Sequence, residues 1–217
     1  MKRRTLDMMF SIGGLGLAVV LLILGLVMTS NANFAKGYVK DQLSEQQITF
    51  KPAAALTEEE QQAPCLVEYA GQSLTTGKQA ECYANEFIGL HVKESAGGET
   101  YATIGTIQTG LRNQVAEAQK TSAANLSDLQ TQLATVTAQR ESLFKGETLR
   151  GLLLTSYGFS VFGFKGGEVA NLAYVLAAVM LILSLAGIYH AARTPKTKGF
   201  ALPEISLTDS KKVPVHA

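Results

Sequence analysis

The 217-residue sequence contains no tryptophan, three histidines and two cysteines. Two cysteines exclude a disulfide-dense scaffold and a four-cysteine zinc site, and three histidines leave little room for a His-rich metal centre. Nineteen Lys and Arg residues nearly balance eighteen Asp and Glu residues, for a net charge of +1. This balance disfavours nucleic-acid binding, which depends on concentrated positive charge. We therefore predict neither a nucleic-acid partner nor a cofactor.

Charge is missing altogether from residues 8–35 and 169–192. About 20 apolar residues in a helix cross a hydrocarbon core of about 30 Å, and in lipid the backbone must form its hydrogen bonds within the segment. We predict transmembrane helices over residues 8–30 and 169–190. The first is interpreted as an uncleaved signal anchor. A cleaved signal peptide is the alternative, because Ser30-Asn-Ala32 resembles a cleavage site.

The basic residues predict the orientation. Residues 36–168 hold 11 Lys and Arg against 15 Asp and Glu, and the eight remaining basic residues lie in the terminal segments 1–7 and 191–217. Positive charge near membrane ends stays in the cytoplasm. We expect a plasma-membrane protein with two spans, both termini cytoplasmic, residues 31–168 extracytoplasmic and residues 191–217 as a flexible cytoplasmic tail.

The extracytoplasmic segment has no sustained alternating pattern and is predicted to be mostly α-helical. Three helix starts are marked by the N-cap residues Thr57, Thr76 and Thr100. Apolar residues at steps of three and four then continue from Thr100 to Leu143, with the heptad pattern of a coiled coil interrupted. We interpret this stretch as one or two helices that fold back as an antiparallel hairpin or pack on a partner.

Residues 151–164 are apolar but too few to span a bilayer comfortably. Lys165-Gly-Gly-Glu168 separates them from the second span. We expect this segment to lie near the membrane, either along its surface or in the core of the outer domain.

Cys65 and Cys82 both fall in the extracytoplasmic segment, where thiols become oxidised. A disulfide between them closes a loop of about 18 residues and stabilises the fold by roughly 3 kcal/mol in the chain-entropy model. We predict this disulfide, with free or partner-linked thiols as the alternative.

The histidines limit metal chemistry. His91 has Glu86 and Glu94 nearby in sequence, which permits a metal site, although a half-buried histidine at a helix boundary is the preferred interpretation. An iron site of two histidines and one carboxylate needs two imidazoles on one metal. His190 and His216 are predicted to lie across the bilayer from His91, so a monomer of this topology cannot assemble such a site. We predict no catalytic, cofactor-binding or metal-binding residues.

Short motifs are spread along most of the chain: Met1-Lys-Arg-Arg-Thr5, Ser11-Ile-Gly-Gly14, Asp41-Gln-Leu43, Tyr69-Ala-Gly-Gln72, Thr76-Gly77, Gln79-Ala80, Gly97-Gly98, Thr100-Tyr-Ala102 and Gly146-Glu-Thr-Leu-Arg-Gly-Leu-Leu-Leu154. These motifs resemble those of a group of actinobacterial two-span membrane proteins that are often labelled "aromatic ring-opening dioxygenase LigA". The likeness covers most of residues 1–190, and residues 105–140 look like an expansion of a shorter connector. The resemblance implies a cell-envelope membrane protein, and the label implies a subunit of an iron-dependent oxygenase.

Our leading hypothesis is a non-enzymatic membrane protein whose helical outer domain binds other membrane or envelope proteins, as an accessory or assembly subunit of a complex. A homo-oligomer is compatible with this function. One alternative is an extracytoplasmic ligand sensor, and another is a dioxygenase subunit. The candidate interaction surface, for which intramolecular packing is the alternative role, consists of Glu147, Arg150, Leu152, Leu153 and Leu154.

Overall fold

A computed structural model describes residues 3–195, and this part of the chain is mostly helical. Apart from the isolated bridge between Thr49 and Ser73, residues 3–195 contain no β-structure. A 3-10 turn covers Ala53–Ala55, and a π-helix, Tyr83–Ile88, joins the fourth and fifth α-helices. The α-helices are α1 (Arg3–Glu45), α2 (Glu58–Gln61), α3 (Pro64–Glu68), α4 (Gly77–Cys82), α5 (Gly89–Ser95), α6 (Tyr101–Thr121) and α7 (Leu126–Arg193).

The chain forms two compact units. The terminal unit is the described part of Met1–Val27 and Val169–Ala217, and the central unit is Met28–Glu168. Helices α1 and α7 each contribute residues to both units. Both helices are long and apolar enough to cross a membrane, as the uncharged runs predict. The part of the predicted cytoplasmic tail from residue 196 onward lies outside the described residues.

Small residues bring α1 and α7 close together within the terminal unit. A Cβ atom added to Gly25 would lie 2.6 Å from Cε1 of Tyr174, and one added to Gly14 would lie 2.5 Å from Oγ of Ser184. A Cβ on Gly187 would likewise collide with Ser11. The two helices therefore approach closely because these positions have little or no side chain, as is common between helices in membranes.

The core of the central unit is built on the disulfide between Cys65 in α3 and Cys82 in α4, whose Cα atoms are 6.0 Å apart. This agrees with the predicted pairing. Buried Leu66 and Leu74 belong to the same core. The ring of Phe50 joins it to Tyr69 and Tyr83, with centroid distances of 5.6 and 5.3 Å. The connector from α1, the disulfide loop and the π-helix therefore share one apolar core, which is completed by Val39, Leu43, Ala63, Ala80, Ala84, Ile88 and Leu153.

The structure confirms the three predicted helix starts. The hydroxyls of Thr57, Thr76 and Thr100 accept hydrogen bonds from the backbone N–H groups three residues later. Each threonine therefore satisfies a donor that the first turn of a helix leaves free.

The long apolar stretch after Thr100 is interrupted. Helix α6 ends at Thr121, and Ser122 has a φ of +48° in the left-handed region. The N–H of Ala123 then bonds to the carbonyl of Ala118, so the chain turns before α7 begins at Leu126. The left-handed cap favours Gly or Asn over serine, which explains why the sequence gives little sign of this break.

The expected separation between residues 151–164 and the second apolar run is not a break in structure. Helix α7 continues through Lys165-Gly-Gly-Glu168, where Lys165 and Glu168 form an ion pair of 2.8 Å across one turn. Just before it, a Cβ on Gly163 would lie 2.9 Å from Cβ of Ala35. Glycine is therefore tolerated here because it allows close packing against α1 within the central unit.

Candidate functional site

A polar cleft of about 960 Å³ opens on the surface of the central unit. Its floor and walls come from five helical elements between residues 59 and 150, namely α2, the π-helix, α5, the start of α6 and the middle of α7. Charged and amide side chains dominate its rim, and Tyr101 stands at the start of α6. The principal polar residues are Glu59, Asn85, Glu86, Lys93, Glu99, Glu147 and Arg150.

Arg150 carries the least satisfied polar group of the cleft. Its Nη1 lies 3.3 Å from Glu147, one turn earlier in α7, and its Nη2 lies 3.3 Å from Oδ1 of Asn85. The Nε atom is buried and has no hydrogen-bond partner among residues 3–195. Gly89 leaves room for it, since an added Cβ would lie 3.7 Å from Nε. The guanidinium group of this cleft residue therefore has one donor that residues 3–195 leave unsatisfied.

The five residues of the predicted interaction surface separate in the structure. Glu147 and Arg150 line the cleft. Leu153 is buried in the core and Leu154 packs against it, so these two residues make intramolecular contacts. Leu152 is exposed and lines a different groove with Tyr38 and Phe159. The structure thus brings two of the five residues together at the cleft.

Glu59 of α2 lines the cleft and interacts with a second carboxylate, Glu94 of α5. A hydrogen bond with Glu94 and the charge of that carboxylate raise the pKa of Glu59, with a small contribution from burial, while Lys93 acts in the opposite direction. Helix α5 therefore directs Glu94 toward α2. The sequence had suggested that Glu94 would accompany His91 through their i,i+3 spacing.

We predict that Glu94→Gln stabilises the central unit at neutral pH. A raised pKa of Glu59 means that its favourable contribution is complete below about pH 4.5, the ordinary value, and is lost as the pH rises through the raised value. Removing the neighbouring charge relieves this repulsion, and the shift is small because both groups face water. Pulse proteolysis in urea at pH 8 and pH 4.5 measures it. Glu86→Gln, an equal charge change in the same cleft, should not reproduce the pH-dependent gain.

An ionic network centred on a buried carboxylate lies next to the cleft, at Glu60, the residue that follows Glu59 in α2. Glu60 is fully buried, and its Oε1 accepts a hydrogen bond from Nζ of Lys51 at 2.6 Å. Its Oε2 accepts a bond from the backbone N–H of Thr57 at 2.8 Å. The Nε2 atom of His91 lies 3.5 Å from Glu60. One carboxylate therefore holds the connector after α1, the start of α2 and helix α5.

Burial opposes ionisation of Glu60, but its bonded neighbours outweigh this effect. The hydrogen bonds from Lys51 and Thr57, followed by the charges of Lys51 and His91, hold the pKa of Glu60 below its ordinary value. The Nδ1 atom of His91 lies 2.7 Å from the carbonyl of Phe87, which accepts its proton and orients the ring. The ring of Phe87 also packs against this ring at a tilt, with a centroid distance of 4.5 Å. His91 is thus a partly buried structural histidine with Glu60 as its carboxylate neighbour.

The sequence had not indicated Glu60, Lys51 or Asn85 as parts of a site. Asn85 belongs to the π-helix, a rare element that is frequent at functional sites. Within residues 3–195, no group of three His, Cys, Asp or Glu side chains is arranged to hold a metal ion.

The terminal unit has a small polar contact of its own. The Nδ1 atom of His190 lies 3.0 Å from Oδ2 of Asp7, and the guanidinium group of Arg193 lies 4.8 Å from the ring centre of Tyr189. His190 and His91 therefore belong to different units, and His216 lies outside the described residues. Asp7 is the only acidic residue before the first uncharged run, and the sequence had not indicated it as part of a polar contact.

Comparison with known protein families, curated proteins and solved structures finds no match to this chain.

Proposed function

We propose that this chain is a non-enzymatic two-span membrane protein that uses the cleft of its extracytoplasmic central unit to bind another membrane or envelope protein. In this proposal it is an accessory or assembly subunit of a complex. The main support for a binding function is that Arg150, which lines the open polar cleft, has a buried Nε without a hydrogen-bond partner among the described residues.

Burial in the terminal unit is inverted relative to a water-soluble protein, and this supports insertion in lipid. The small residues Ala18, Ala173 and Ala177 are buried, whereas Val20 and Ile182 are 61% and 65% exposed. A soluble protein rarely leaves such a large contiguous apolar surface uncovered. In a bilayer the same side chains contact acyl chains, and small residues mediate the helix–helix contact.

The order of contacts in the terminal unit supports both termini on one side of the membrane. Ser11 meets Gly187, Gly14 meets Ser184 and Gly25 meets Tyr174, so rising numbers in α1 pair with falling numbers in α7. Such helices run in opposite directions. The concentration of basic residues near both termini favours the cytoplasm for that side.

Contacts between α6 and α7 support an antiparallel hairpin in the central unit. The amide of Gln108 donates a hydrogen bond to Thr137 at 2.7 Å and accepts one from Arg140 at 2.8 Å. Seven residues earlier in α6, the ring of Tyr101 lies 5.9 Å from that of Phe144 in α7, so falling numbers in α6 pair with rising numbers in α7. The hairpin extends the outer domain and supports one wall of the cleft.

The composition of the cleft supports a protein partner. Arginine and tyrosine are the residues most often found at energetic centres of interfaces, and Arg150 and Tyr101 both line the cleft. The partner that fits would offer a carboxylate or amide oxygen to Arg150 and basic groups to the rim glutamates.

A second candidate function is binding of a small ligand by the outer domain. The volume of about 960 Å³ favours it, because it falls within the range of ordinary ligand pockets. The many charged groups of the rim make this the less suitable of the two functions.

The test uses photocrosslinking in native membranes. A photoreactive amino acid at position 90, in the cleft wall, should yield one defined protein adduct, and the same probe at position 119, on the exposed side of α6, should not. Arg150→Ala should reduce the adduct at least about tenfold, since truncation of a hot-spot residue costs roughly 2 kcal/mol of binding free energy.

Arg112→Ala is the matched control, because Arg112 is an exposed arginine on α6 outside the cleft. Arg150→Lys should restore little of the adduct, because lysine lacks the planar fork of donors. The proposal is wrong if probes at positions 90 and 119 give the same adducts, or if Arg150→Ala leaves the adduct unchanged.

A further inference from the structure

The central unit contains a second groove, of about 740 Å³, that differs from the cleft in its chemistry. Its lysines are Lys36 and Lys40 of α1 and Lys78 of α4. Its apolar wall consists of Val39 and of α7 side chains, namely Tyr157, Val161 and Phe164. The groove therefore combines an apolar surface with positive charges that converge from two separate helices. We call it the lysine groove.

The three lysines of this groove have no counter-ions among the described residues. Elsewhere in the central unit, Lys51, Lys120, Lys145 and Lys165 each form an ion pair with a glutamate. The remaining lysine, Lys93, lies among the carboxylates of Glu59 and Glu94. The unpaired ammonium groups of a unit that is acidic as a whole are thus concentrated in a single groove.

No acidic residue of the described chain lines the groove, and Glu81 forms a hydrogen bond with the groove residue Tyr157. The charge of Glu81 and this bond raise the pKa of the tyrosine hydroxyl. Three unpaired positive charges around a cavity of this size call for an anion. The hydroxyl groups of Thr75, Thr76 and Ser160 also line the groove, but they already donate hydrogen bonds within the chain, to the Gln79 amide oxygen and the Tyr157 carbonyl. The lysine ammonium groups are therefore the donors that this groove offers to an anion.

The sequence position of the groove indicates what carries this anion. Lys36 is the first charged residue after the uncharged run that begins at Met8, so in the proposed topology it lies at the level of the lipid headgroups. Phe34, Phe162 and Phe164 are exposed around it, at 64%, 77% and 57%. Exposed aromatic rings and lysines at a span's end are typical of the membrane interface.

We infer that the lysine groove binds the headgroup of an anionic glycerophospholipid of the outer leaflet. The phosphate lies among Lys36, Lys40 and Lys78, and the acyl chains follow Val161 and Phe164 toward the bilayer. An apolar wall beside three unpaired lysines fits an anionic amphiphile better than a free inorganic anion, because only the amphiphile has apolar chains to place against that wall. This inference rests on the membrane placement in the proposed function but not on the cleft or on Arg150.

The test measures lipid binding to the full chain in a neutral detergent by native mass spectrometry. Phosphatidylglycerol is the probe and phosphatidylcholine is the neutral reference. Each lysine at a membrane surface contributes roughly a fivefold factor in affinity. The triple variant Lys36→Gln/Lys40→Gln/Lys78→Gln should therefore weaken phosphatidylglycerol binding by about 100-fold and leave phosphatidylcholine binding unchanged.

The matched control is Lys93→Gln/Lys120→Gln/Lys145→Gln, which removes equal charge from the same unit outside the groove. It should keep the preference for phosphatidylglycerol. Phe164→Ser should weaken lipid binding while leaving the oxidised state of Cys65 and Cys82 intact, which reports that the core still folds. Soluble glycerol phosphate at the same concentration should not displace the lipid.

Three results would overturn the inference: equal affinity for both lipids, equal loss in the two triple variants, or displacement by glycerol phosphate or by an acidic peptide at the lipid's own concentration. Because the measurement is made in detergent, it does not depend on the orientation of the chain in a membrane. If the native chain binds both lipids equally but still gives the adduct at position 90, the lysine groove alone is rejected. The opposite pair of results would reject the cleft alone.

Discussion

Glu60→Gln should destabilise the central unit by about 3 kcal/mol, since a fully buried carboxylate loses its ion pair with the partly exposed Lys51 and one of the donors bonded to it loses its acceptor. The carboxylate has two acceptor oxygens, and these bind Lys51 and the backbone N–H of Thr57. Glutamine has the same shape but only one acceptor. Its amide N–H₂ would therefore face either the ammonium group or the N–H group, and one donor would lose its acceptor.

Pulse proteolysis of the full chain in detergent, across a urea series, measures this change. With a urea dependence of about 2 kcal/mol/M, the midpoint should fall by about 1.5 M. Glu58→Gln is the matched control, because Glu58 precedes it by two residues in α2 and is exposed. An equal shift in both variants would show that the network does not stabilise the unit.

The pH dependence of the same variant provides an independent check. The pKa of Glu60 is lowered in the folded chain, so its contribution is present above the ordinary value of about 4.5 and is lost as the pH falls through the lowered value. The native chain and Glu60→Gln should therefore differ most near neutral pH and converge in acid. The repulsion between Glu59 and Glu94 is common to both proteins and cancels in the difference.

This network illustrates why the fold was easier to predict than the site. Thr57 predicts the start of its helix from local chemistry alone, because an N-cap needs only a hydroxyl at one position and a backbone N–H three residues later. Glu60 is the third of three consecutive glutamates, and its position after Thr57 identifies it as a capping residue. Its burial depends on Lys51 and His91, which reach it through tertiary packing that no local pattern encodes.

The lysine groove and the cleft could not be predicted from the sequence for the same reason, because each combines residues that only tertiary packing brings together. Lys36 and Lys40 are one helical turn apart, so the sequence places them on one face of α1. Lys78 joins them only because α4 packs near that face. Asn85 meets Arg150 across 65 residues, from a π-helix for which the sequence gives no distinctive signal. By contrast, the uncharged runs predict α1 and α7 well, because the absence of charge over 20 residues is a strong local constraint.

Breaking the Cys65–Cys82 disulfide should have an effect nearly as large as loss of Glu60. The 17-residue separation corresponds to a loop-closure stabilisation of roughly 3 kcal/mol in the chain-entropy model. Cys65→Ala/Cys82→Ala should lower the urea midpoint in pulse proteolysis by about 1.5 M. A reducing agent should shift the native chain to the same midpoint and leave the double variant unchanged. A native chain that is insensitive to reduction would show that the pair does not stabilise the unit.

The same cysteines test the proposed orientation. Disulfides persist outside the cytoplasm, where thiols are not kept reduced. In intact cells quenched with acid, both cysteines should resist a maleimide reagent until they are reduced, and a gel shift of two labels should then appear. Thiols already labelled before reduction would place the central unit in the cytoplasm, on the same side as a reporter fused to an inward-facing terminus. The anionic lipid of the outer leaflet would then have no access to the lysine groove, so the redox state of this one pair constrains both the topology and the ligand.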